Sequence, residues 1–369
     1  MSLLVVFAFS ALQGNTLEAA PEDLNSVLEP LRTKHRVPAL AAAAMRGTDL
    51  LGAGAVGTRK IDGREIVTID DQWHIGSCTK SMTATLAAMF VEQGQIKWQT
   101  TVGEIFTDLE DTMDPQWSAV TLEQLLSHRG GAPAEAPPNL WRNAARQQGS
   151  PRDQRREFVK GLLMRRPESE PGAKYNYSNQ GYAIAGVMLE RVSGQPWEKL
   201  MQTMLFPIAL MSDAGFGAPA TRGRTDHPWG HTAEGQKLVP VPPGPNADNP
   251  PAIGPAGTVH CSIKELVRYA AWHARGEARG TPTLKRESFV KLHMPVAGGD
   301  YALGWSVHPR GWAGGNALSH AGSNTMFYAV IWIAPAKDIA FVAATNCATE
   351  GATKACDEAV AAMVTRWVK

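Results

Sequence analysis

Ser77 and Lys80 stand three residues apart at the head of a segment with helical patterning, which puts hydroxyl and amine on one face. A serine hydroxyl is a weak nucleophile until a neighbouring base takes its proton. Lysine can be that base only when neutral. Its usual value of about 10.4 must therefore fall close to neutrality, which costs about 4 kcal/mol. Burial and the positive end of a helix both disfavour the ammonium and push in that direction. The backbone N–H of Ser77 is placed to face a developing oxyanion. Ser288-Phe289-Val290-Lys291 repeats the spacing without comparable context and reads as coincidence.

Two further segments carry side chains that this chemistry can use. Tyr177-Ser178-Asn179 lies in a loop that runs into a helix, and with six tyrosines in the chain a chance Tyr-x-Asn is uncommon. It offers a phenol that can relay protons and an amide that can hold a lysine or a substrate carbonyl. Leu318-Ser319-His320-Ala321-Gly322-Ser323 ends an apolar run, as an edge strand beside a cleft does. Gly322 lets substrate approach the backbone, and the Ser323 N–H is a candidate second oxyanion donor. Taken singly, each residue has a plainer reading: a solvated lysine, a packed core tyrosine, a satisfied strand-end histidine.

The elements that must position these residues follow from periodicity. Residues 23–31 place Leu24, Val27, Leu28 and Leu31 on one helical face, with Pro30 near the end. Residues 37–45 and 50–56 flank a Gly/Asp turn and read as a hairpin. Residues 77–93 are helical up to Gly94, and Thr121 with Gln124 is a capping box. Residues 130–138 read as loop, 182–192 and 197–206 as helices, and the Gly/Pro-rich stretch 215–255 as one long irregular segment. Residues 263–273 read as helix, then 302–307, 317–320, 327–333 and 339–345 as strands, and 353–367 as a closing helix.

Strands joined by short turns imply an antiparallel sheet, and helices at both chain ends imply that it is covered. The expected fold class is α/β (α+β), an antiparallel β-sheet flanked by helices and interrupted by a mainly helical domain. Residues 21–104 and 256–369 would form the discontinuous sheet domain and 105–255 the insertion. Ser77 and His320 lie far apart in the chain, so the sheet domain must bring them together beside Tyr177.

Composition bounds the rest. Of 369 residues, 44% are hydrophobic and 19% charged, which suits a large core and excludes disorder, collagen and a disulfide mini-scaffold. Thirty-six basic against 35 acidic residues leave no footprint for nucleic acid. The four cysteines, 78, 261, 347 and 356, read as buried thiols, with a Cys347–Cys356 disulfide as the alternative. His74, His128, His231 and His273 read as structural or surface histidines, and no metal-ligand set is expected. Trp141, Trp229 and Trp305 read as core or loop anchors, with walls of an acyl pocket as the alternative. Residues 3–12 resemble the apolar part of an export signal without its basic flank, which points to a periplasmic or secreted protein. A buried N-terminal element is the alternative, and no transmembrane segment is expected.

Taken together and in this order, the three motifs resemble the penicillin-recognising serine hydrolases: β-lactamases, D-alanyl-D-alanine peptidases and β-lactamase-like (family VIII) carboxylesterases. Tyr-x-Asn as the second motif is similar to the class C-like branch. Val120 to His128, Gly254-Pro255-Ala256-Gly257-Thr258 and Leu303-Gly304-Trp305 extend the resemblance over most of the chain. It implies a β-lactamase/transpeptidase-like fold, Ser77 as the acylated nucleophile, Lys80 as its base partner and Tyr177 as the proton shuttle. It also implies that Asn179 orients lysine or substrate, that the Ser77 and Ser323 N–H groups form the oxyanion hole, and that no cofactor takes part. The chain departs from the lactamase pattern at His320-Ala321-Gly322, where those enzymes carry Lys-Thr-Gly. A mostly neutral histidine and an alanine point to a small, less anionic ester as the substrate, with weak amide or β-lactam hydrolysis beside it. If a cationic His320 holds an anionic substrate, KM rises above about pH 6.5. The alternatives are a class C-like β-lactamase or D-amino-acid peptidase, and a slow-acylating penicillin-binding sensor or silent scaffold. The oligomeric state is left open.

Overall fold

The computed structural model describes residues 20–235, 237–296 and 298–368. The export-signal expectation falls on residues outside these. Seven strands form the main sheet: β1 (Glu22–Asp23), β2 (Ala39–Arg46), β3 (Asp49–Gly57), β4 (Ser306–Arg310), β5 (Gly315–Ser323), β6 (Tyr328–Ala334) and β7 (Ile339–Thr345). Their order is β1-β3-β2-β7-β6-β5-β4. Every pairing is antiparallel except that of β1 with β3. Both chain ends therefore meet at the centre of the sheet, where β2 pairs with β7 from Ile339↔Arg46 to Thr345↔Leu40.

Strand β2 is nearly all alanine, a weak strand former, and tertiary burial overrides the propensity. Ala39, Ala41, Ala43 and Met45 join one apolar core, and Leu40, Ala42 and Ala44 the other. That period of two shows a sheet buried on both faces. Small side chains let helix layers lie close on each side. Helices α1 (Asn25–His35) and α5 (Glu350–Trp367) cover one face, and α4 (Ile263–Arg279) packs on the other beside β2 and β7.

Helix α2 (Thr79–Glu92) is buried from Thr79 through Phe90, and its buried polar side chains, Thr79, Lys80, Ser81, Thr83 and Thr85, are hydrogen-bonded. Its neighbours include Asn179–Ser193, helix α3, from a mainly helical stretch between Val102 and Gly257. The Thr121 capping box forms as expected. Three elements differ from the sequence reading. The stretch 215–255 is not wholly irregular, because Gly230–Glu234 and Lys237–Val241 pair as a hairpin. The strand expected at 302–307 begins only at Ser306. Gly304 turns the chain with φ +83 against the Ser81 backbone, so the apolar run before it packs as a bend. The helix expected at 197–206 is broken into α and π turns. All four cysteines are free and buried. Among the described residues no helix is long and apolar enough to cross a membrane.

Candidate active site

Ser77 occupies a 3-10 turn, Gly76–Cys78, immediately before α2, so Lys80 follows within one turn. Lys80 is fully buried, and its Nζ lies 3.0 Å from Ser77 Oγ, 2.7 Å from Asn179 Oδ1 and 2.9 Å from the Ala256 carbonyl oxygen. The last two atoms only accept. A neutral amine satisfies all three contacts by giving its two hydrogens to them and its lone pair to the serine hydroxyl. Desolvation lowers the Lys80 value to about 7, which makes that neutral form available. Cys78 is pushed up to about 12 by burial and stays a thiol, so it does not compete as a nucleophile.

Tyr177 reaches the same point from the loop before α3. Its ring lies 4.8 Å below the Lys80 Nζ. Burial raises the phenol, while hydrogen bonding with Ser77 pulls the other way. Ser178 caps α3 by accepting from the Gly181 N–H and donates to the Pro133 carbonyl, which leaves Asn179 in the first turn of α3, on Lys80. Gln180 binds the Pro133 and Ala134 carbonyls, and the Asn176 amide donates to the Ala132 carbonyl. The loop at 128–134 thereby holds the Tyr177 segment along its length.

Strand β5 closes the site from the sheet. A Cβ on Gly322 would fall 2.6 Å from the Ser77 nitrogen and 2.0 Å from the Ile75 oxygen. Gly322 is therefore required by the strand's own contact with the nucleophile turn, in addition to any approach of substrate. The same contact sets the Ser77 and Ser323 amides side by side. The turn is fixed from behind: His74 Nδ1 accepts from the Gly76 N–H, and His74 Nε2 lies 2.7 Å from Asp248 Oδ1. Asp248 in turn accepts from Asn324, next to Ser323. On the helix side, Ser81 donates to the Cys78 carbonyl and accepts from Tyr269, whose hydroxyl neighbours Thr85 and, through it, His273.

His320 is buried, and its ring is engaged on both sides. Nδ1 lies 2.7 Å from the Ala321 oxygen and so carries the hydrogen, while Nε2 lies 3.1 Å from the Tyr301 hydroxyl and accepts from it. Burial first, then the Lys80 charge, lowers His320 to about 3. A switch of His320 charge near pH 6.5 is opposed by these surroundings, because imidazolium would be desolvated beside Lys80 and its Nε2 could no longer accept from Tyr301.

The structure brings Ser77, Lys80, Tyr177, Asn179, Gly322 and Ser323 to one point, with His320 beside them. Sequence reasoning missed the Ala256 carbonyl, Tyr301 and His128. A backbone acceptor has no sequence signature. Tyr301 precedes Leu303-Gly304-Trp305 and could have been flagged by that proximity. His128 is buried, as the structural reading expects, and its ring centroid is 4.3 Å from that of Tyr177. His74, His231 and His273 are fully buried. The second Ser-x-x-Lys is not a pair: Ser288 binds Glu92 and Lys291 binds Glu123. Trp305 is in the core, stacked with Tyr269, while Trp141 is exposed. Among the described residues no cluster could hold a metal ion.

The chain is similar to penicillin-binding protein 4 of Amycolatopsis lactamdurans, 27% identical over 335 residues, 86% of this chain and 83% of that one. It also resembles the unguisins hydrolase ungD' of Aspergillus campestris, at 22% identity over 88% of this chain and 61% of the relative. The D-stereospecific amidohydrolase of Streptomyces sp. shares its fold, with a TM-score of 0.72, 19% identity, and 91% of this chain and 96% of that chain covered. Residues 24–364 match the family model described as Beta-lactamase, and the chain therefore belongs to the beta-lactamase family of serine hydrolases.

Proposed function

We propose that this protein is an acyl-serine hydrolase acting on small esters, with slower hydrolysis of amides and β-lactams. The observation that carries this reading is the desolvated Lys80 amine 3.0 Å from Ser77 Oγ, with a value lowered to about 7. At pH 7 a large fraction of Lys80 is neutral, whereas Tyr177 is held as phenol. Lys80 is thus the resident base and Tyr177 the relay. Ser77 Oγ attacks the substrate carbonyl as its proton passes to Lys80, and the carbonyl oxygen gains the electron pair under the Ser77 and Ser323 N–H groups. The tetrahedral centre collapses, the leaving group takes a proton through Tyr177, and an acyl-Ser77 ester remains. Water then attacks that ester with the same groups in reversed roles.

The preference for a neutral acyl donor rests on His320. An imidazole that is buried, neutral and bonded to Tyr301 supplies no fixed positive charge for a substrate carboxylate. Activated esters also need less leaving-group assistance than amides. A pre-steady-state comparison of nitrophenyl acetate with nitrocefin tests the assignment. A burst followed by turnover with the ester, and kcat/KM at least about tenfold above that for nitrocefin, is expected. The reverse order would make the protein a β-lactamase, and a burst with no turnover would make it a slow-acylating binder.

A further inference from the structure

Resting on that assignment of Tyr177 and Ser77, we propose that His128 is a positioning residue that holds the Tyr177 phenol on the Ser77 hydroxyl by gripping the peptide on both sides of it. Its backbone carbonyl accepts from the Asn176 N–H at 2.8 Å. Its ring Nδ1 accepts from the Ser178 N–H at 3.1 Å. Between these two bonds the imidazole lies against Tyr177 itself, with centroids 4.3 Å apart and planes tilted by 39°. One residue therefore fixes the residue before Tyr177, the residue after it and the phenol ring.

His128 is built for this grip. Its φ of +59° lies in the left-handed region, which turns its side chain back over the loop, and such a conformation persists only where the surroundings hold it. Two residues earlier, the Leu126 carbonyl accepts from the buried Tyr182 hydroxyl at 2.6 Å, so helix α3 anchors the backbone just ahead of it. The ring is 2% exposed and also packs against Tyr175, Tyr182 and Tyr301. Since Nδ1 accepts, the hydrogen sits on Nε2, and that buried atom has no hydrogen-bond partner among the described residues. A buried donor left unpaired is destabilising. A leucine or phenylalanine would fill the space without that cost but would sit poorly at φ +59°, whereas the imidazole tolerates that conformation and also gives Ser178 an acceptor. Tyr177 itself is 37% exposed, so its aim depends on what holds its peptide.

The test uses single-turnover acylation by a nitrophenyl ester, with mass spectrometry of the Ser77 adduct. His128→Ala is expected to slow acylation about tenfold to a hundredfold, with substrate affinity little changed. His128→Asn is expected to recover most of the rate, because its Oδ1 can replace Nδ1 and asparagine tolerates positive φ. In a Tyr177→Phe background His128→Ala is expected to cost less than about twofold, since the two residues act as one unit. Equal losses in both backgrounds, or no loss in the first, would overturn the proposal. Should the alanine variant fail to fold, His128→Phe carries the same comparison, as it refills the space and offers no acceptor. An unmodified Ser77 in the parent protein would instead reject the hydrolase assignment, so the two failures are distinguishable.

Discussion

Gly76 and Gly322 interlock. A Cβ on Gly76 would fall 2.2 Å from the Ser323 nitrogen, and one on Gly322 would fall 2.6 Å from the Ser77 nitrogen. Each glycine keeps open the approach of the other's neighbouring amide, so the two amides proposed as oxyanion donors come from a contact between a turn and a strand. Gly76 also has φ +50, a conformation that suits glycine. Gly322→Ala is accordingly expected to lower kcat/KM about a hundredfold, since displacing a catalytic group by about 1 Å has that effect. A steady-state assay beside a melting curve checks it, and an alanine variant of near-normal activity would show that the amides do not act together.

Lys80 makes a prediction about pH. In the proposed mechanism its neutral form is the competent one, and its value is lowered to about 7 by burial. Below that pH the ammonium form dominates and cannot accept the serine proton. The rate of acylation should therefore rise tenfold per pH unit below about pH 6 and level off above about pH 8. A profile flat from pH 5 to 8 would remove Lys80 from the role of base.

His320 makes the opposite kind of prediction. Held neutral by burial and lowered to about 3, it has no transition near its usual range. KM for an ester carrying a carboxylate should vary by less than about twofold between pH 5 and 8. A KM that climbs through about pH 6.5 would show a cationic His320 in the complex.

Arg155 links the helical stretch to the lysine site. It is fully buried, pairs with Glu190 and Glu198, and donates to the Pro251 carbonyl, five residues before the Ala256 carbonyl that accepts from Lys80. Arg155→Met should cost about 3–5 kcal/mol, because it leaves Glu190 buried without its partner. Urea unfolding measures this, and an unchanged midpoint would contradict it.

Legibility in the sequence followed range. The hairpin of β2 and β3 and strand β7 were readable as short apolar runs bounded by turn residues, and the closing helix as a longer run. Ser77 with Lys80, and Tyr177 with Asn179, were readable because each pair is local. The run 302–305 misled because an apolar stretch buried in a bend looks like a strand until Gly304 is seen against Ser81. The hold that His128 has on the Tyr177 segment is hidden from the sequence for a related reason. Its partners, Asn176 and Ser178, lie about fifty residues away, and one of its two grips is a backbone carbonyl. The neutrality of His320 likewise depends on Tyr301, nineteen residues earlier, across a turn no pattern specifies.

The central claim is that Ser77 forms the covalent acyl-enzyme. The most direct measurement is peptide mapping by mass spectrometry after reaction with a fluorophosphonate probe, on the parent protein and on Ser77→Ala. One adduct on the peptide bearing Ser77, absent from the alanine variant, is the expected result. Labelling that survives Ser77→Ala, or that maps to another residue, would contradict it.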